Sequence, residues 1–380
     1  MPRDAIADDD ITRAVLARDE VVRYLQGSHG DTGPEALDRV HAYLEELKTT
    51  QRYPIYKALK HPLYPILRKI ERHAEHIEIV ENATRAGRVI YASNHRSHLD
   101  YLIEPLALED ANIRPPIIAA GINLFGGPLG LIHRHVTGAM PIRRNTKDPA
   151  YLITLKAYVA ELLRRHDLMF YIEGGRSYSG ELKSPKTGLL HAALQAEPQR
   201  MVIVPTAIAY DLVIEDFILS RQKVKRSQRP FARELAEMVR YAVGYRSRAI
   251  TTFGAPIAVD GCDPLSRRDV LDLAHRIIDT IGHLVKVLPT ALFASALKRS
   301  MGRREAEVRA EAIADKLRAA NANLGFTDVR EAMDRAARLF EARGIIVIEQ
   351  GRFRIRERHV LRYYARTIDH LLPVPPDQTH

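Results

Sequence analysis

Val89-Ile90-Tyr91-Ala92-Ser93-Asn94-His95-Arg96-Ser97-His98-Leu99-Asp100 runs from an apolar segment through polar residues to a carboxylate. The apolar start suits a buried strand, and the polar stretch after it suits the turn out of a sheet. On one continuous helix, residues five apart lie about 140° around the axis. His95 and Asp100 therefore meet only if His95 sits on the loop and Asp100 in the first helical turn. The spacing predicts strand, loop and helix start, the unit from which α/β sheets are assembled. In that arrangement Asp100 would hold one ring nitrogen protonated and leave the other to take a proton from an alcohol. If the alcohol is the substrate, no serine nucleophile is needed.

Two other chemistries fit less well. The order His95-x-x-His98-x-Asp100 does not reproduce a familiar binuclear metal site, so no metal is expected. Gly175-Arg176-Ser177-Tyr178-Ser179 has Ser179 where a nucleophile elbow needs its second glycine.

Outward from residue 89, short apolar runs alternate with helical patterns. Strands are expected at 89–93, 117–120, 168–172, 201–210 and 249–253, and helices at 148–166, 188–196, 231–243 and 267–287. The alternation predicts an α/β fold, a mixed sheet flanked by helices. Charged amphipathic patterns at 4–26 and 35–50, separated by Gly27-Ser28-His29-Gly30-Asp31-Thr32-Gly33-Pro34, predict a helical N-terminal segment over 1–50. The catalytic unit is expected over 51–290. Residues 291–380 form a third region, small and α+β, with helical patterns followed by a hairpin turning at Gln350-Gly351, much as in a winged helix. Between Lys298 and Arg366 there are 17 basic and 10 acidic side chains. Arginines at 352, 354, 356 and 358 alternate along the hairpin as one solvated face would, and nucleic acid is not the expected partner.

With 380 residues, 46% of them apolar, the chain can bury one large core. A net charge of +10 favours anionic partners. The single cysteine, Cys262, excludes an intramolecular disulfide and points to a reducing compartment. No signal-peptide pattern opens the sequence, and no stretch reaches the roughly 20 apolar residues of a spanning helix. The uncharged run Pro115 to Ile132 reads as core loop and buried strand, with a shallow membrane-facing element as the alternative. Tyr53 to Ile70, with its tyrosines, leucines and lysines, suits an interfacial segment on anionic lipid.

Four blocks follow one another. They are Asn94 to Asp100; Gly138-Ala139-Met140-Pro141-Ile142-Arg143-Arg144; Phe170-Tyr171-Ile172-Glu173-Gly174-Gly175-Arg176-Ser177; and Val202-Ile203-Val204-Pro205. Together they resemble the glycerolipid acyltransferase family. Ile118 to Leu124, Ser184-Pro185-Lys186-Thr187-Gly188 and Leu361-Arg362-Tyr363-Tyr364 resemble its bacterial and mitochondrial glycerol-3-phosphate acyltransferase branch, to which the dihydroxyacetone-phosphate enzymes are related. The second block lacks the family's usual aromatic residues.

The resemblance implies the glycerolipid acyltransferase fold and a fatty acyl transfer from acyl-CoA or acyl carrier protein to glycerol-3-phosphate. His95 would be the base and Asp100 its orienter. Arg143, Glu173, Gly174, Arg176 and Ser177 would bind the acceptor; Arg144, a second guanidinium beside Arg143, is a further phosphate candidate or a structural salt bridge. Lys183 and Lys186, on the same loop as the third block, are candidates to meet phosphate or simply solvent, and Pro205 belongs to the block implicated in acyl-CoA binding. Glu173 would meet an acceptor hydroxyl or anchor Arg176. No cofactor is implied. The expected location is the cytoplasmic face of a membrane, peripherally held on anionic lipid. Dihydroxyacetone phosphate or lysophosphatidic acid are alternative acceptors, and a non-catalytic lipid- or DNA-binding protein is the alternative class.

Overall fold

The apolar run at residue 89 is a central strand of an eight-stranded sheet. The computed structural model describes residues 8–27, 33–52, 54–55, 58, 65–196, 201–221 and 246–372. Its strands are β1 (Ile70–Glu75), β2 (Arg88–Ser93), β3 (Ile117–Gly121), β4 (Ala139–Ile142), β5 (Leu168–Tyr171), β6 (Met201–Tyr210), β7 (Ser247–Phe253) and β8 (Ile257–Ala258). Their order is β1-β7-β6-β2-β5-β3-β4, with β8 beside the first half of β6. Strands β6, β2, β5, β3 and β4 run parallel, while β7 and β8 pair antiparallel to β6 and β1 follows β7. The sheet is therefore mixed. Ser93 is in register with both Tyr171 and Thr206, so the loops leaving β2, β5 and β6 emerge at one edge, where open α/β sheets carry their sites.

Helices cover both faces. On one lie α1 (Asp8–Leu16), α2 (Asp19–Gln26) and α3 (Gly33–Leu47), packed on a later helix, Pro149–Leu163. The expected helix at 4–26 is broken at Ala17-Arg18. Arg18 leaves the helical region (φ −72°, ψ 138°) and sends its guanidinium to Glu161 at 3.1 Å. Val15 and Val21, on either side of the break, are fully buried, so tertiary packing overrides the local pattern. Between β1 and β4 run α4 (Ile77–Ala86), α5 (Asp100–Asp110) and α6 (Gly127–His135). The run Pro115 to Ile132, read as loop and strand, thus also contains the start of a helix, which Pro128 begins in the first turn where it lacks no needed N–H. The Pro149–Leu163 helix is α7, capped by Asp148 accepting from Ala150 N at 3.0 Å. Helices α8 (Gly188–Leu194), α9 (Asp216–Arg221) and α10 (Arg267–Leu284) follow. The expected helix at 231–243, and most of 53–64, lie outside the described residues.

The last part of the chain packs on the other face of the sheet. Helix α11 (Pro289–Ala296) is wrapped by α12 (Arg303–Ala319), α13 (Val329–Ala342) and α14 (Arg358–Arg366). A small antiparallel sheet of β9 (Met301–Gly302), β10 (Ile346–Glu349) and β11 (Arg352–Ile355) completes it. Gln350 and Gly351 both have positive φ, 48° and 70°, as the tight hairpin turn requires. Among the described residues no helix is long and apolar enough to cross a membrane.

Candidate active site

His95 lies on the loop after β2, and Asp100 is the first residue of α5. Imidazole Nδ1 is 2.8 Å from Asp100 Oδ2. The same oxygen accepts from the backbone N–H groups of Arg96 and Ser97 at 2.7 and 2.9 Å, and Tyr210 Oη donates to Oδ1 at 2.7 Å. These four partners match the acceptor capacity of a carboxylate. They fix Nδ1 as the protonated nitrogen and leave Nε2 without a hydrogen bond among the described residues. The ring lies flat against Tyr171, with centroids 4.0 Å apart and planes 12° apart. Burial lowers the His95 pKa to about 4, against the pull of Asp100, and the charges of Arg176 and His98 lower it further. The imidazole is therefore neutral at pH 7, the form a base requires.

The loop is anchored from several sides. Glu173, fully buried, accepts from His95 N at 2.9 Å and from Lys183 N at 3.0 Å. Both its oxygens are thus used on backbone donors. Its ion-pairing partner is not Arg176, whose Nη1 instead faces Glu215 Oε1 at 3.4 Å. Burial raises the Glu173 carboxyl, opposed by Arg96 and the two backbone N–H groups. Glu215 also accepts from Ser97 Oγ at 2.9 Å and His98 N at 2.5 Å. Beside it, Asp216 accepts from Tyr364 Oη and Arg343, each at 2.8 Å. Tyr363 Oη reaches the Arg96 carbonyl at 3.5 Å. The loop after β6 therefore links the His95 loop to the C-terminal helices.

The cations expected to bind an acceptor divide into two groups. Arg143 makes a bidentate ion pair with Glu46 of α3, at 2.7 and 2.5 Å, and lies over the rings of Tyr43 and Tyr151. It braces the N-terminal helices. Arg144 takes the opposite course. Its guanidinium lies beside the bare Cα atoms of Gly121 and Gly175, where an added Cβ would come within 3.0 Å of Nη2 and 3.3 Å of Nη1. Among the described residues it has no carboxylate partner. Burial and the neighbouring Arg176 lower its pKa. Burial also lowers Lys183, with Arg144 and Lys186 acting in the same sense. Lys183 Nζ donates to the Gly175 carbonyl at 2.9 Å.

The remaining residues shape the backbone. Gly174 has φ +69°, with the Lys186 stem packed against its Cα. Ser177 N donates to the His95 carbonyl at 3.1 Å, and its hydroxyl donates to the Glu181 carbonyl at 2.7 Å. Pro205 lies inside β6 opposite Ala92. Its carbonyl accepts from Gly254 N at 2.8 Å. Its missing donor faces the same way, into the gap between β8 and β7, so no ladder bond is lost. Tyr210 and Glu215 are not among the residues that the sequence points to, and Tyr171, though inside the third block, has no task assigned there. The only local signal was their place at or just beyond the ends of apolar strands. Among the described residues no cluster of side chains is suited to hold a metal.

Residues 74–209 match the family model described as Acyltransferase. A protein named glycerol-3-phosphate acyltransferase from Xanthomonas axonopodis pv. citri is 29% identical over 280 residues, 68% of this chain and 31% of that one. One of the same name from Hamiltonella defensa is 28% identical over 356 residues, 80% and 42% of the two chains. A protein named putative acyltransferase plsB1, from Mycobacterium bovis, is 32% identical over 231 residues, 56% and 36%. The match thus spans less than half the length of each relative. A crystal structure of the 1-acyl-sn-glycerophosphate (LPA) acyltransferase PlsC from Thermotoga maritima covers 72% of this chain and 94% of its own, at 14% identity and a TM-score of 0.33. That superposition is too loose to carry an argument. Residues 74–209, which hold His95, Asp100, Glu173, Arg176 and nearly all of β6, are an acyltransferase-family domain.

Proposed function

We propose that this chain transfers a fatty acyl group from an acyl thioester, carried on CoA or on acyl carrier protein, to the hydroxyl of glycerol-3-phosphate, giving lysophosphatidic acid. One observation carries the reading: a neutral, buried His95 whose Nδ1 is held by Asp100 at 2.8 Å while Nε2 is left open. The relatives named glycerol-3-phosphate acyltransferase support the choice of acceptor.

In this mechanism Nε2 takes the proton of the acceptor hydroxyl as its oxygen attacks the thioester carbonyl. Asp100 steadies the imidazolium that forms. The tetrahedral intermediate collapses, the C–S bond breaks, and His95 returns its proton to the leaving thiolate. No acyl-enzyme forms, and Ser97 and Ser177 keep their structural bonds. General-base catalysis of this kind is worth about 10² to 10⁴ in rate.

Arg144, with Lys183, Lys186 and Arg176 around it, supplies the cationic wall for the acceptor's phosphate. A guanidinium fork without a carboxylate suits a phosphate dianion. Arg143, already paired with Glu46, contributes by holding the strand that ends before Arg144. Residues 51–290 act as the catalytic unit, with 1–50 and 291–380 as its supports. The net positive charge favours peripheral attachment to anionic lipid, which flotation with anionic vesicles at low and high salt tests: binding that weakens with salt is expected, and absence from lipid at low salt refutes it.

The deciding experiment supplies purified protein with palmitoyl-CoA, or a palmitoyl carrier protein, and in turn with glycerol-3-phosphate, dihydroxyacetone phosphate and lysophosphatidic acid. Thioester-derived acyl transfer to glycerol-3-phosphate, lost in a folded His95→Ala variant, is the expected result. Transfer only to another acceptor overturns the substrate, and His95-independent transfer overturns the mechanism.

A further inference from the structure

Glu104 follows Asp100 by one helical turn and lies on the same face of α5. It is fully buried. Its Oε1 accepts from Ser93 Oγ at 2.5 Å. Its Oε2 and the hydroxyl of Tyr171 are both shut away from solvent, with no partner besides each other among the described residues. The two groups are close enough for each to perturb the other. Tyr171 is the ring on which His95 is stacked.

A carboxylate buried among hydroxyls alone is costly, and a second carboxylate nearby makes it more so. The charged group acting on Glu104 is Asp100, and among the described residues no cation offsets it. The other titratable groups around this pocket are Tyr171 of β5, with Tyr101 of α5 beside it, and His95 on the loop. Asp100 gathers four donors while Glu104 has at most the hydroxyls of Ser93 and Tyr171, so a proton held by one of the two carboxyls belongs on Glu104. Burial and Asp100 both push the Glu104 carboxyl well above the usual range. With the proton on Oε2, Glu104 becomes the donor to Tyr171 Oη.

We propose that Glu104 is a positioning residue that works as a neutral carboxylic acid. It accepts from Ser93, donates to Tyr171 Oη, and so fixes the ring beneath His95, leaving Asp100 alone to orient the imidazole. The kinetic part rests on the acyl-transfer reading of His95; the protonation state does not.

The test begins with infrared difference spectra of the full chain, wild type against Glu104→Gln, at pH 7. A protonated-carboxyl carbonyl band present in the wild type and absent from the variant is expected, and its absence from the wild type overturns the proposal. In acyl-transfer assays, Glu104→Gln, which preserves one donor and one acceptor, is expected to keep kcat within about threefold and leave the acid limb of the pH profile in place. Glu104→Ala is expected to lower kcat about tenfold or more with both KM values little changed. An acid limb displaced by a full pH unit in Glu104→Gln means that an ionised Glu104 had been acting on His95. Wild-type kcat in Glu104→Ala removes the positioning role. Should Glu104→Ala fail to fold, the Gln variant and the infrared band still decide. If no acceptor is acylated by wild-type protein, the functional reading falls, while the band still reports on Glu104.

Discussion

Glu215 Oε2 and Ser97 Oγ are 2.9 Å apart although 118 residues separate them in the chain. With its other oxygen on His98 N, Glu215 fixes two consecutive residues of the turn that sets His95 against Asp100. Glu215→Ala should leave the protein folded and lower kcat about 10- to 100-fold, because a base displaced by a fraction of an ångström loses its alignment. Steady-state kinetics alongside a thermal melt checks this. Unchanged kcat would mean that the loop holds its own shape.

The neighbouring arginines should separate in kinetics. Arg144→Ala is expected to raise the acceptor KM at least tenfold with the donor KM little altered, as loss of a charge-assisted contact to phosphate would do. Arg143→Ala should spare the acceptor KM and lower the melting temperature, since its partners are Glu46 and the rings of Tyr43 and Tyr151. The reverse pattern would exchange their roles.

The pH dependence has two parts. With His95 lowered to about 4, the acid limb of kcat/KM is expected well below the ordinary histidine range near 6.5. A limb near 6.5 would show that the imidazole is not shielded as described.

Stability should move over the same interval. Fully buried His133 is likewise lowered to about 4 by burial. Between pH 6.5 and 4 the unfolded chain binds protons that these two histidines refuse when folded, so stability falls as pH falls. Above about 6.5 their contribution is complete. Each is worth on the order of 3 kcal/mol across that window. Urea denaturation at pH 7, 6 and 5 measures it, and a His133→Gln variant should show a flatter acid slope.

At Gly180, φ is +90° and an added Cβ would sit 2.0 Å from the Tyr363 carbonyl oxygen. Gly180→Ala must move either its own loop or α14. A loss of about 2 kcal/mol or more in stability is expected, with lowered kcat because Arg96 Nη1 holds the Gly180 carbonyl at 2.5 Å. A neutral substitution would show that this contact is slack.

The contact of His95 with Asp100 was legible because it is local: spacing and the strand before it leave little choice. So were β2, β3, β5, β6 and β7, each an apolar run. Edge strand β1, Ile-Glu-Arg-His-Ala-Glu, carries charges outward and gives no such run. Tyr210 and Glu215 meet the loop from more than a hundred residues away, and no local pattern announces such a pairing. Arg143 and Arg144 show the same limit more sharply. They are adjacent and chemically alike, and the presence of Glu46 on a distant helix decides which one is already satisfied. Glu173 was marked as functional from its block, but its task could be read only once both its oxygens were seen on backbone N–H groups.

The clasp made by Tyr363 and Tyr364 sets an order of events during synthesis. A ribosome that has translated the whole acyltransferase-family stretch has still not made the side chains that hold Asp216 and the Arg96 carbonyl. The His95 loop acquires its full support only after α14 has emerged and docked.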